Sequence, residues 1–291
     1  MSTVTISRRA ATVRGLKLRR LVPRAALYLI LACGAAITLL PFVFMIGVSF
    51  TPNVFVLQVP PIIIPSNPTI QNYIDAWGLN NFGRAFMNSL YVSTVSTALL
   101  LILAATVAFA VARYRFPGRN VIFYGLLLTM MVPGLVLIIP QFVLASRLHL
   151  ANNLQGLIIV YAAGIAFSVF MLRAFFEDLP QELFDAAAID GCGVLRQFVY
   201  IAVPLARPAL ATLAVLSFLN DWSEFVWAAT SLNDPNLYTL PVAIQQFVGQ
   251  HSSNWGIVFA GTTIAEVPMV IAFVLFQRHI VSGIASGALK F

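Results

Sequence analysis

Charge is what this sequence has least of. Of its 291 residues, 17 are Lys or Arg and 10 are Asp or Glu, so charged residues make up 9% and hydrophobic ones 60%. A soluble domain carries about 25% charge. So sparse a supply cannot cover a water-facing surface of this size, and a soluble enzyme is excluded. Cysteine is nearly absent too: Cys33 and Cys192 are the only two, too few for a disulfide scaffold. The apolar content excludes disorder. No G-x-x-x-x-G-K-[ST] sequence occurs, so no nucleotide is held by that type of phosphate loop. Internal repeats and low-complexity tracts are also missing. What remains, with a mean hydropathy of +0.90, is an all-α polytopic membrane protein.

A membrane-spanning helix needs about 20 mostly apolar residues. Six stretches qualify, roughly 25–50, 88–112, 120–145, 156–176, 206–231 and 256–277. Barrel strands would be about ten residues long and would alternate. Basic residues set the orientation. Seven lie in the N-terminal tail: Arg8, Arg9, Arg14, Lys17, Arg19, Arg20 and Arg24. Arg113, Arg115 and Arg119 follow the second span, Arg173, Arg196 and Arg207 flank or lie in the loop after the fourth, and Arg278 and Lys290 close the chain. These 15 share one side; Arg84 and Arg147 alone fall on the other. Both termini are therefore expected in the cytoplasm of a bacterial or archaeal inner membrane. The positive charge reads topology and lipid headgroups, and no nucleic-acid partner is expected.

The basic tail and the apolar run 25–32 look like a leader, and Leu31, Ala32 and Cys33 loosely resemble a cleavage site. The run continues to Phe50, long enough to span, so it is read as a retained helix. Cys33 lies in that span and Cys192 in a loop, too far apart to pair, and neither suggests metal or redox chemistry. Residues 51–84 carry Pro52, Pro60, Pro61, Pro65 and Pro68, and then a short interfacial helix around Tyr73, Ile74, Asp75, Ala76 and Trp77. Residues 232–255 hold the turn signal Asp234, Pro235, Asn236, followed by Gln245, Gln246, His251 and Trp255. Neither external segment is large enough to capture a substrate alone. The chain divides into residues 1–84 (tail, first span, external loop), a core 85–278 with a cytoplasmic loop 177–205, and a tail 279–291.

That cytoplasmic loop is the most specific feature. Pro180 opens a helix where its missing N–H does no harm, and Glu182 and Asp185 suit the positive end of the helix dipole. Leu183, Phe184, Ala187 and Ala188 form an apolar stripe at helical spacing. Gly191 and Gly193 break the helix. A second short piece with Leu195, Phe198 and Val199 leads to Pro204. Two short helices with an apolar face on the cytoplasmic side predict docking to a soluble protein.

The loop resembles that of the membrane subunits of ABC importers, whose pattern is E-A-A, three residues, G, nine residues, I-x-L-P. Asp185, Ala186 and Ala187 are followed by Ala188, Ile189, Asp190 and then Gly191; nine residues, 192–200, precede Ile201, Ala202, Val203 and Pro204. The spacing is kept, with Asp185 for the glutamate and Val203 for the leucine. Over residues 85–290 the chain is similar to the carbohydrate branch. Its carriers are Asn88 and Ser89, Ala108 through Tyr114, Met131–Val132–Pro133 with Ile139–Pro140, Trp222–Ser223–Glu224–Phe225, and the tail Gln277 through Gly283 with Gly287 through Lys290. It most resembles the six-helix subunit of maltose-type permeases. The resemblance implies the type I ABC importer permease fold, a second, different permease, two copies of a nucleotide-binding ATPase, and an external solute-binding protein. It implies that Asp185, Ala186, Ala187, Asp190, Gly191 and Pro204 belong to the ATPase-coupling element. Gly191 would permit a sharp bend, where a bulky β-branched residue would clash. The chain itself would have no catalytic residue, metal or cofactor.

Ionisable groups at bilayer depth face a cavity or a partner. Ser217, Asn220, Asp221 and Glu224 are spaced to share one face of the fifth span, and Thr262, Thr263 and Glu266 cluster in the sixth. Asp221 and Glu266 fall near the midplane. Phe218, Trp222, Phe225 and Trp227 surround the first cluster, a composition that suits a saccharide. Two readings stand side by side: a translocation path, or polar groups that join helices. Pro133, Pro140 and Pro268 free backbone carbonyls inside the membrane, which favours helices around a cavity; Tyr161 and Ser168 are further cavity candidates. An intramembrane enzyme would pair Asp221 with Glu224 or Glu266, but gives the docking loop no role. A stand-alone secondary transporter would couple through the same carboxylates, but six helices without a repeat are few for it. Within the importer architecture, a sugar phosphate, peptide or amino acid is the alternative cargo.

Overall fold

The computed structural model describes the backbone of residues 4–57, 63–79, 81–251 and 254–288, and the side chains of 26–57, 63–79, 81–246 and 254–277. The seven basic residues of the N-terminal tail, Pro60, Pro61, His251, and the stretch from Arg278 to Lys290 lie outside the described side chains. Every regular element among the described residues is helical: α1 (Val4–Ser49), α2 (Gln71–Gly78), α3 (Phe82–Arg113), α4 (Arg119–Thr129), α5 (Gly134–Arg147), α6 (Leu154–Ala162), α7 (Ala166–Glu177), α8 (Gln181–Ile189), α9 (Val194–Gln197), α10 (Val203–Leu205), α11 (Arg207–Ser223), α12 (Val226–Ser231), α13 (Leu240–His251) and α14 (Trp255–Ala288).

Three helices are long and apolar enough to cross a membrane unbroken: Ala26–Ser49, Phe82–Arg113 and Trp255–Gln277. Three more spans are bent pairs, which brings the total to as many as six. The apolar stretches read from composition are here resolved into broken helices. The stretch 120–145 is α4 and α5, bent by 105°, with Pro133 immediately before α5. Proline drives its predecessor, Val132, out of helical geometry, so Pro133 ends one helix instead of kinking a continuous one. The stretch 156–176 is α6 and α7, bent by 42°. The expected fifth span, 206–231, stops at Ser223, and Glu224 takes an extended conformation (φ −67°, ψ 123°). At both ends of the chain the helices outrun expectation: α1 begins within the basic tail, and α14 passes position 279 without a break.

The external segments hold more structure than their turn signals suggest. The short helix around Tyr73 is α2, and its Asn72 side chain donates to the carbonyls of Ser49 (2.9 Å) and Thr51 (2.8 Å). Residues 232–255, read as a loop, contain α13, with Leu240, Val242 and Ala243 buried.

α3 is the central post. Ser89, Ser93, Ser96, Thr97, Ala104, Ala105 and Ala108 are all buried along it. Small residues of this kind let helices approach closely where lipid offers no hydrophobic drive. It also feeds all three apolar clusters, through Phe109, Val92 and Phe82. At one end of the bundle Arg119 pairs with Glu177 (3.5 Å). At the other end Asn81, Arg84 and Asn88 all reach Asn236, and the Asn152 side chain accepts from the N–H groups of Asn233 and Asp234. Thus Arg84 and the 147–152 turn lie opposite Arg113 and Arg119. α1 stands apart: between residues 26 and 43 every side chain is exposed, and it meets the bundle through Phe44 on Phe259 and through its last turn.

Candidate functional site

The loop expected to dock a soluble partner forms as two short helices joined through Gly191. α8 ends in a paired cap: the Gly191 N–H donates to the Ala188 carbonyl (3.0 Å) and the Cys192 N–H to the Ala187 carbonyl (2.8 Å). This closure needs a left-handed residue, and Gly191 has φ +75°. A Cβ added there would meet nothing within 4 Å, which corrects the expected clash: the demand on Gly191 is conformational. Asp185 lies a turn beyond the first and accepts from the Gln181 side chain (3.0 Å). Downstream, residues Phe198–Ala202 widen into a π-turn. Pro204, just after it, has no N–H to return to the Tyr200 carbonyl.

The apolar stripe divides in two. Phe184 and Ala187 turn inward and are buried, so Ala187 seats the helix instead of sharing an outer face with Asp185 and Ala186. Outward point Leu183, Ala186, Ile189 and Asp190, continued by Val194, Leu195 and Tyr200. With Glu182, Asp185 and Asp190 around them, these side chains form a small exposed apolar surface with an acidic rim. Burial pushes the neighbouring Tyr114 phenol above its ordinary pKa, against the pull of the Arg113 guanidinium.

The polar groups of α11 and α14 fall into two clefts, one on either side of α11. A cleft of about 420 Å³ is lined by Tyr161, Ser168, Leu216, Ser217, Asn220 and Asp221. The other, of about 350 Å³, is lined by Trp222, Phe225, Gln245, Thr262, Glu266 and Met269. Asn220 is exposed on the wall of the first, and Ser223 on the wall of the second. The expected common face for Ser217, Asn220, Asp221 and Glu224 does not survive the end of α11. Asp221 is buried and accepts from Ser96 Oγ (2.5 Å) and Asn220 Nδ2 (3.4 Å). Glu224 caps α12, accepting from the N–H groups of Trp227 (2.8 Å) and Ala228 (3.1 Å) and from the Tyr161 hydroxyl (2.6 Å). Thr263 returns its hydroxyl to the Phe259 carbonyl (2.7 Å), and its neighbour Thr262 is the one that lines a cleft. Pro133 lines neither cleft.

A membrane bundle with a capped docking loop invites comparison with known transporters. Residues 101–286 match the family described as "Binding-protein-dependent transport system inner membrane component". The chain belongs to that family. The permease is 34% identical over 261 residues to the arabinooligosaccharides transport system permease protein AraQ of Halalkalibacterium halodurans, covering 88% of this chain and 92% of AraQ. It is 30% identical to the diacetylchitobiose uptake system permease protein NgcG of Streptomyces coelicolor, covering 90% and 87% of the two chains. Its fold matches a chain of a bacterial ABC transporter involved in alginate import with a TM-score of 0.77, at 24% identity, over 86% of this chain and 93% of that one. The permease is a multi-pass inner-membrane protein of an ABC import system.

Sequence reasoning missed three features of the permease. Arg113, read as a topology charge and as part of the family-like stretch Ala108 through Tyr114 but given no partner, donates to the Leu179 carbonyl (2.7 Å) and to Gln181 Oε1 (3.0 Å). Ser96, on a buried polar stripe of α3, carries the hydrogen bond to Asp221. Asn88 and Ser89, seen only as a resemblance, tether the segment before α13: Asn88 donates to the carbonyls of Asn236 and Tyr238 (3.0 Å each), and Ser89 Oγ accepts from the Leu240 N–H (2.7 Å). The stripe itself was legible, since Ser89, Ser93, Ser96 and Thr97 recur at helical spacing. The partners of Arg113 were not.

Proposed function

We propose that this permease forms half of the translocation path for a sugar, a disaccharide or oligosaccharide delivered by an external binding protein. The carrying observation is the exposed Asn220 of α11, on the wall of one of two clefts that flank the helix and hold carboxylates and aromatics. An amide at bilayer depth is costly against lipid, so this face belongs against water or the second permease. Hydroxyls, amides and carboxylates beside aromatic rings suit a saccharide, and the names of AraQ and NgcG support that class. A second reading, in which Asp221 and Glu224 only join helices, is favoured by their hydrogen bonds to Ser96 and Tyr161.

The remaining assignments follow from this role. Residues 85–278 form the permease core, and 177–205 dock to ATPase subunits through Asp185, Ala186, Asp190 and the exposed apolar side chains beside them, with Ala187, Gly191 and Pro204 holding the shape. ATP is hydrolysed by those partner subunits, present as two copies; the missing phosphate-loop sequence supports this. The asymmetry of 15 basic residues against two supports cytoplasmic termini.

The test is reconstitution in vesicles with the binding protein, second permease and ATPase encoded beside it. Uptake of labelled arabino-oligosaccharide, diacetylchitobiose and trehalose is compared with glutamate, a dipeptide and a hexose phosphate. ATP-dependent uptake of a neutral saccharide, reduced by Asn220→Leu, is the expected result. Uptake of one of the other solutes alone would overturn the sugar assignment.

A further inference from the structure

The coupling helix α8 rests on the last turns of α3. The Phe109 ring lies 6.1 Å from Phe184, 5.2 Å from Phe198 and 5.8 Å from Phe176, centroid to centroid. One turn further, the Arg113 guanidinium lies 4.1 Å from the Phe184 ring centroid while donating to the Leu179 carbonyl and the Gln181 side chain. A single planar cation therefore holds the strand of chain leading into α8, the first residue of α8, and its buried anchor. Gln181 passes the restraint on to Asp185.

From that seat α3 runs back through 32 residues, roughly 48 Å at 1.5 Å per residue. Midway it donates from Ser96 to Asp221 in α11, beside the larger cleft. Near its far end Asn88 and Ser89 hold the segment before α13. Apolar packing between helices in lipid is non-directional, whereas these polar joints are directional and few. They sit where α3 meets the docking loop, the cleft wall and the external turn.

We propose that Arg113 is a positioning residue that locks the coupling helix to α3, and that α3 passes the helix's displacement to α11 through the Ser96–Asp221 bond. The proposal rests on the reading of residues 177–205 as the ATPase docking loop. Arginine suits the joint because its rigid fork serves two acceptors while its face lies on an aromatic ring. A lysine would keep the charge and lose that geometry.

The experiment uses the assembled importer in lipid nanodiscs, with Cys33 and Cys192 replaced by serine. One spin-label pair sits at Ile189, 87% exposed on α8, and Leu103, exposed on α3. A separate label at Leu216 reports solvent access beside the larger cleft. MgATP with vanadate provides the nucleotide-closed state. In the wild type the 189–103 distance stays narrow on closure, and access at 216 changes severalfold. In Arg113→Gln and Arg113→Lys, with ATPase subunits still co-purifying, the 189–103 distribution shifts or broadens by several Å and the 216 response is lost. Ser96→Ala keeps the distance narrow and loses the 216 response.

Wild-type behaviour in Arg113→Gln, or full rescue by Arg113→Lys, overturns the joint. An intact 216 response in Ser96→Ala overturns the transmission through Asp221. A wild-type complex whose 216 label ignores nucleotide overturns the docking reading itself, and the joint with it.

Discussion

Gly191 offers a test in which side-chain size and backbone conformation rank alanine and asparagine oppositely. Its φ of +75° is required by the two hydrogen bonds that close α8, and the space around its missing Cβ is open to 4 Å. An L-residue in left-handed geometry costs about 1–2 kcal/mol. Asparagine visits that region more readily than other side chains, and β-branched residues resist it most. The expected order of damage is therefore Asn, then Ala, then Val, although Asn is larger than Ala. At about tenfold per 1.4 kcal/mol, a penalty near the top of that range for Gly191→Val opens the last turn of α8 roughly thirtyfold more often. Hydrogen–deuterium exchange of peptides covering residues 187–195 reads this opening directly, and vesicle uptake reads its consequence. Exchange that rises with side-chain volume, so that Ala is milder than Asn, would refute the conformational argument and restore a steric one.

Gly156→Ala should destabilise the purified protein by about 1–3 kcal/mol, as overpacking does, because its Cβ would run into the Leu150 carbonyl. Gly125→Ala, inside α4 where a Cβ meets nothing, should keep or raise the thermal midpoint, since alanine favours the helix by about 0.5–1 kcal/mol; equal midpoints for the two variants would refute the packing account. Tyr161→Phe removes a hydrogen bond to the Glu224 carboxylate. It should cost about 1–3 kcal/mol in a melting assay, and a neutral result would mean that Glu224 is sustained by its backbone partners alone. Single cysteines at Gly118 and Asn236 in a background without Cys33 and Cys192 should label from the inside and the outside of intact cells, respectively. Outside labelling at position 118 would invert the topology.

Hydropathy sufficed to locate the membrane segments because it averages over a window, and the same averaging hid their breaks. The run 120–145 stays apolar across the 105° bend at 130–133, so composition alone could not divide it; Pro133 marked the place but was read only as freeing a backbone carbonyl toward a cavity. α13 had a usable signal. Thr239 precedes Leu240 and Pro241, and proline in the first turn after a threonine is a helix-opening pattern. The turn at residues 234–236 drew attention away from it.

The shape of the loop 177–205 was legible because nearly all of its logic is local. The prolines, the small residues and the left-handed glycine lie within one stretch of chain, each with a backbone requirement that its residue type announces. Glu224 shows the opposite case. By spacing it joins Asp221 on a helical face, yet the helix ends one residue earlier and the carboxylate turns to the N–H groups of Trp227 and Ala228. Helical periodicity presumes a continuous helix, so it fails where a polar side chain is positioned to end one. Arg113 fails for another reason: its acceptors lie 66 and 68 residues away in sequence. A charge near the membrane surface satisfies the topology rule wherever its guanidinium points, so that rule could place Arg113 on a side of the membrane but not against Phe184.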